Sequence, residues 1–374
     1  MQNIINNKEK TMIDQFYENF KVRDYMDDKT LKEIFSENIL DCSLGTNDFI
    51  NNEFIKSYIE KSNYEINKYP SIEYDLLKDE LIKYWQNNSN VFLKRENISF
   101  GGGVMGIIRN ISEFLINEKT NILDCAPQFP RFISEIELKR ANYNYYDMSN
   151  EENFKFNVNS LLDMISPKCD LIYIDNPNNP TGQIIKIDDI KRIIKEAQRY
   201  NIFVVIDEAY GDYMTDNNSA IKLVTEFDNV AVIRSASKFY GLPNHRVGCL
   251  FASEKFIKIY NEITIPFQFS DLSANVFRNI IKDYRKLQYI KEEIKEIKKG
   301  ILDELKPDNY LYTNIETPIF TIKTNKYENL SEELRRNGII VENCCTFLNL
   351  DNRYARIRIP REWKKLLEVL VNIV

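Results

Sequence analysis

The middle of the chain is punctuated by four short apolar runs: Asn121-Ile-Leu-Asp-Cys125, Leu171-Ile-Tyr-Ile174, Phe203-Val-Val-Ile206 and Ala231-Val-Ile233. Charged stretches with helical spacing, such as Asp188 to Arg199, separate several of them. Strands this short and this uniformly apolar are buried on both faces, and helices between them supply the crossovers that parallel neighbours need. The pattern predicts an α/β fold built on a mostly parallel sheet covered by helices. In such sheets a ligand sits beyond the carboxyl ends of the strands. Polar clusters fall at those ends: Pro127-Gln128-Phe129, Asp175 to Gly182, Asp207 to Tyr210, and Ser235 to Lys238.

The chain changes character after about Phe256. Ile257 to Leu305 is rich in Lys, Glu and Ile and reads as long helices. Ile319–Ile322, Ile339–Val341 and Tyr354–Ile359 read as strands, and Arg361 to the end as a terminal helix. Together they predict a smaller α+β domain. The expected division is 1–40 as an N-terminal arm and part of the small domain, 41–258 as the large domain, and 259–374 as the C-terminal small domain. Lys10 to Ser36 is expected to be helical, and Tyr74 to Trp85 to form an amphipathic helix.

Composition narrows the function classes. Lys+Arg 50 against Asp+Glu 56 leaves a net charge of -6, which offers no footprint for nucleic acid. One histidine, and six cysteines without Cys-x-x-Cys spacing, argue against a metal site and a disulfide scaffold. No apolar run is long enough to span a bilayer, and the first residues lack the apolar core of a signal peptide. The expected location is the cytoplasm.

Candidate chemistry concentrates in Arg234-Ser-Ala-Ser-Lys-Phe-Tyr-Gly-Leu-Pro-Asn-His-Arg-Val-Gly248. Ser235, Ser237 and Arg246 suit a phosphate monoester, and the Lys238 amine suits an aldehyde cofactor. Gly101-Gly102-Gly103-Val104 precedes an apolar helical run through Ile116. Bare N–H groups at a helix start cradle anions, although the triplet alone could be a tight turn. Asp207 ends a buried run, where an acid needs a partner. Alone it could serve a metal or a cap. Asn179 lies in the Pro-rich turn Asn176 to Gly182, whose prolines stiffen the loop.

Taken in order, Asn179-Pro-Thr-Gly182, Asp207 with Tyr210, and Ser235-Ala-Ser237-Lys238 with Arg246 resemble the signature of fold-type I, class I/II aminotransferases. The resemblance runs from Ile39 to the last helix and is to the histidinol-phosphate aminotransferase and threonine-phosphate decarboxylase branch. It implies pyridoxal 5′-phosphate, joined to Lys238 as a Schiff base. Asp207 would hold the pyridinium nitrogen, Tyr210 and Asn179 the ring hydroxyl, and Phe129 the ring face; Phe129 is otherwise a plain core residue. Gly102, Gly103, Val104, Ser235, Ser237 and Arg246 would surround the phosphate. Tyr69, on base rates a buried tyrosine, would reach the phosphate of a second subunit, making a homodimer with shared sites. The turn Gly45 to Asn47 would line the substrate side, and Arg356 would clamp the α-carboxylate. The partners implied are a small amino donor and a keto acceptor.

Two positions depart from the branch. Glu342 stands where both enzymes usually carry an arginine for a distal phosphate, and Arg358 where a small residue is usual. Alternation along a strand puts Arg356 and Arg358 on one face. Three readings stay open: Arg358 has taken over a distal anion, Arg358 only neutralises Glu342 in a pair, or Glu342 receives a cationic substrate tail. The expected activity is an aminotransferase acting on a small substrate, phosphorylated or not. The alternative is a decarboxylase of serine or threonine phosphate. A non-enzymatic descendant would be expected to lack Lys238 or Asp207, and both are present.

Overall fold

The computed structural model describes residues 39–148 and 152–374. The helix expected over Lys10 to Ser36 lies outside them. β1 (Leu40–Asp41) is followed by helices Asn52–Glu60 and Asp75–Ser89. β2 (Ile98–Gly102), β3 (Asn121–Ala126), β4 (Asn142–Asp147), β5 (Leu171–Asp175), β6 (Phe203–Glu208), β7 (Val230–Ser235) and β8 (Val247–Ala252) then build a seven-stranded sheet. Its order is β2-β8-β7-β6-β5-β3-β4, parallel except for β8, which runs antiparallel to β2 and β7.

Burial explains the apolar runs. Every residue of β5, β7 and β8 is buried, so each strand feeds the layers on both sides. In β6, Val204 and Ile206 join one core and Val205 the other, the period of two expected of a strand. The helix Ile187–Arg199 turns Ile190, Ile193, Ile194 and Ala197 inward. Its Asp188 and Asp189 sit in the first turn and Arg199 in the last, as the helix dipole favours. β4 was not legible as a strand: it is the edge of the sheet, its sequence is Asn-Tyr-Asn-Tyr-Tyr-Asp, and only Tyr146 is buried.

Helices Glu254–Ile263, Asp271–Lys282 and Gln288–Glu304 lead to β9 (Ile319–Lys323). The expected strand Ile339–Val341 divides instead. β10 (Ile339–Ile340) pairs in parallel with β1, while β11 (Glu342–Asn343) joins β12 (Tyr354–Arg358) in the antiparallel sheet β11-β12-β9. The helix Trp363–Ile373 closes the chain.

Lys298 ties the two sheets together. It is fully buried, and its ammonium lies 2.7 Å from Thr313 Oγ1, 2.6 Å from the Asn314 carbonyl, 3.0 Å from Thr317 Oγ1 and 2.7 Å from the Ile319 carbonyl. Thr317 Oγ1 in turn donates to the Gly182 carbonyl at 2.7 Å, and Thr321 Oγ1 to the Pro180 carbonyl at 2.8 Å. The loop after β5 is thereby fastened to β9. Among the described residues no helix is long and apolar enough to cross a membrane, and no acidic, His or Cys cluster could hold a metal ion.

Candidate active site

The carboxyl ends of β5, β6 and β7 open onto a cavity of about 470 Å³. Gly45, Val104, Phe129, Asn179, Asp207, Tyr210, Ser235, Ser237, Lys238 and Arg246 all line it, although they come from seven separate segments. Leu44, Thr46, Met105, Arg131, Asp175 and Pro177 complete much of the wall.

Asp207 is the penultimate residue of β6 and lines the cavity. Tyr173 Oη donates to its Oδ2 at 2.7 Å, and the Ala209 N–H donates to its Oδ1 at 2.8 Å. Burial nevertheless raises its pKa to about 6, against the lowering effect of those bonds and of the Lys238 charge. A carboxylate so placed favours a cationic or proton-sharing partner. Asp175, the matching residue of β5, accepts from the Asn179 N–H at 2.9 Å and from the Asn178 amide at 2.8 Å. It fixes the loop that presents Asn179, and burial raises its pKa to about 7.

Lys238 and Tyr210 face each other across the cavity, the ammonium 5.4 Å from the ring centroid. Tyr210 Oη is buried and has no hydrogen-bond partner among the described residues, which leaves a phenol available to a ligand. Gly45 packs against both groups: a β carbon there would collide with Tyr210 Oη and Lys238 Nζ. On the opposite side, Gly103 opens the helix Gly103–Leu115 with φ +75°, and a β carbon would strike the Arg246 guanidinium. With the hydroxyls of Ser235 and Ser237 this forms a cradle for an oxyanion. The Gly102 N–H already donates to Gln268 Oε1 at 3.0 Å.

Several expected residues lie elsewhere. Asn47 turns from the cavity: its amide donates to the Phe239 carbonyl at 2.7 Å, so it braces the backbone next to Lys238. Tyr69 is 82% exposed, against the buried position that base rates suggest, and stacks on Phe267 with centroids 4.8 Å apart. His245 lies 3.2 Å from Ser273 Oγ through Nδ1.

Of the three open readings, a Glu342–Arg358 pair is not what the strands make. The register of β11 and β12 sets Glu342 opposite Arg356, and these two form the ion pair. Arg356 also donates to Asn179 Oδ1 at 2.9 Å and to the Ser43 carbonyl. Arg358 instead meets Asp48 at 2.8 Å and the Asp41 carbonyl. Arg356, Glu342 and Arg358 are not among the residues that line the cavity, and the Arg358 guanidinium is engaged by Asp48 and the Asp41 carbonyl.

Sequence reasoning passed over Tyr173, Asp175 and Ser43. Asp175 had a readable signal, since it ends an apolar run as Asp207 does.

Buried acids set the pH response of the ligand-free protein. Asp207 and Asp175 bind protons more tightly folded than unfolded, where the carboxyl pKa is 3.8. The stability tied to them is complete below about pH 4 and is lost as pH rises through 6 to 7. Ligand-free protein should therefore melt several degrees higher at pH 5 than at pH 7.5 in scanning calorimetry. Asp207→Asn should flatten that slope, and an unchanged slope would refute the assignment.

Comparison with known proteins agrees with this geometry. The family model described as aminotransferase class I and II matches residues 37–372. A histidinol-phosphate aminotransferase of Methanocaldococcus jannaschii is 30% identical over 285 residues, covering 75% of this chain and 76% of that protein. The histidinol-phosphate aminotransferase structure from Clostridium acetobutylicum superposes with a TM-score of 0.78 at 20% identity, covering 90% of this chain and 99% of that one. The L-threonine-O-3-phosphate decarboxylase structure from Porphyromonas gingivalis gives 0.72 at 17% identity, covering 89% and 98%. At those identities the two structures establish the shared fold.

Proposed function

The chain belongs to the aminotransferase class I and II family, and from that premise we propose that this cavity transfers an amino group from an α-amino acid to a keto acceptor. The enzyme is a pyridoxal 5′-phosphate-dependent aminotransferase. The residues present fit that group: the unpartnered Tyr210 Oη, the buried Asp207, and the cradle of Gly103, Ser235, Ser237 and Arg246 match its hydroxyl, ring nitrogen and phosphate. When bound, the cofactor supplies an aldehyde for the substrate amine and a ring that withdraws electrons from the α carbon.

The chain's own groups would do the rest. Asp207 holds a proton at the ring nitrogen, and Tyr210 and Asn179 orient the ring hydroxyl. With the cofactor bound, Lys238 Nζ would be the base that removes the α-carbon proton of the substrate and delivers it to the cofactor. Arg356 receives the α-carboxylate. Tyr69 is 82% exposed, and this exposure supports a homodimer with shared sites.

The convergence of Asn179, Asp207, Tyr210 and Lys238 on one cavity carries this reading. Holoenzyme mixed with a single amino acid should convert its cofactor to the amine form, followed by absorbance, and release the matching keto acid. Carbon dioxide release with the cofactor unchanged would identify the decarboxylase instead.

A further inference from the structure

Arg356 is fully buried, and its two terminal nitrogens are already engaged. One donates to Asn179 Oδ1, and the other serves the Ser43 carbonyl and the Glu342 carboxylate. Glu342 is itself only 5% exposed, is held opposite Arg356 by the pairing of β11 with β12, and has Lys238 as its other cationic neighbour. A substrate carboxylate therefore meets an arginine whose charge is neutralised from within.

Charge balance decides what can bind. Lys238 is committed to the cofactor, so Glu342 and Arg356 together sum to zero. A substrate carboxylate that takes Arg356 leaves two buried carboxylates sharing one guanidinium, and a buried carboxylate without a counter-charge is costly. A cation carried by the substrate removes that imbalance. A phosphate or second carboxylate deepens it, and Arg358 cannot compensate because Asp48 and the Asp41 carbonyl hold it.

We infer that Glu342 is a specificity-determining residue: it yields Arg356 to the substrate α-carboxylate and receives a cationic side-chain group, so the preferred amino donor is a basic amino acid. The inference rests on the aminotransferase reading and on Arg356 as the carboxylate site. Burial holds the Glu342 pKa above the usual carboxylate range, as expected of a group that gains from a nearby cation.

The test is the half-reaction of holoenzyme with L-lysine, L-ornithine, L-norleucine, L-glutamate and O-phospho-L-serine, followed by cofactor absorbance. Wild-type kcat/KM should rank the two basic amino acids first, norleucine second and the two anionic ones last. Glu342→Gln should lower kcat/KM for lysine and ornithine by about ten- to a hundredfold, the range of one charge-assisted hydrogen bond. The ratio of kcat/KM for lysine to that for norleucine should fall by the same order, because norleucine carries no cation for Glu342 to receive. Preference of the wild type for glutamate or phosphoserine overturns the inference without any variant. So does a Glu342→Gln enzyme that gains equally on all five, which would make Glu342 a plug without selectivity. Failure of the wild type with every amino acid overturns the aminotransferase reading, a result distinct from a wrong ranking.

Discussion

Lys238→Ala should lower turnover by roughly 10³–10⁴, the upper part of the range for one positioned proton-transfer group. Lys238 lines the cavity beside Tyr210, Asp207 and Ser237, and among the described residues no second lysine lines it. Adding a small amine such as methylamine should restore part of the rate, since it supplies the missing base. Borohydride treatment of wild-type holoenzyme should attach the cofactor to the peptide containing Lys238. A label on another lysine would remove the basis for the assignment. In dimers mixed from Lys238→Ala and Tyr69→Phe subunits, one hybrid site would carry neither defect, so partial activity is expected.

The second large effect concerns stability. Arg234, on β7, pairs with Glu208 on β6 at 2.8 Å and with Asp212 at 2.8 Å, all three buried. Its guanidinium also lies 5.1 Å from the ring centroid of Trp85. Arg234→Met keeps much of the volume but leaves two buried carboxylates facing each other. Removing one partner of a buried charge cluster costs about 3–5 kcal/mol, and urea unfolding should show a loss of that order. Adding Glu208→Gln and Asp212→Asn should recover part of it. A loss under about 1 kcal/mol would show that water reaches the cluster.

Strands β3, β5, β6 and β7 were legible because burial on both faces leaves a continuous apolar run. β8 is equally apolar, but its first two residues, Val247 and Gly248, close the Lys238 segment, and Cys249 to Ala252 were not assigned to a strand. β4 lacks the pattern because an edge strand keeps water on part of its surface. The site divides the same way. Asn179, Asp207, Tyr210, Lys238 and Arg246 stand in short ordered motifs, so their types and spacing point to one chemistry. Partners fixed by register were not legible: Tyr173 reaches Asp207 from the neighbouring strand, and Glu342 meets Arg356 rather than Arg358. Same-face alternation says which residues share a surface, but only the pairing of β11 with β12 says which residue stands across from which.

The Lys298 knot has a mechanical meaning. Asn179 belongs by sequence to the loop after β5, yet that loop's carbonyls at Pro180 and Gly182 are gripped by Thr321 and Thr317 of the β9 segment. Asn179 is therefore harnessed to the same rigid block as Arg356, and the 2.9 Å contact between them is a dimension of that block. The same loop is also pinned to the large sheet, where Asp175, the register partner of Asp207, accepts from the Asn179 N–H. Asn179 is thus gripped from both sides like a part in a vice, and the amide keeps one setting toward the guanidinium and toward Asp207 alike.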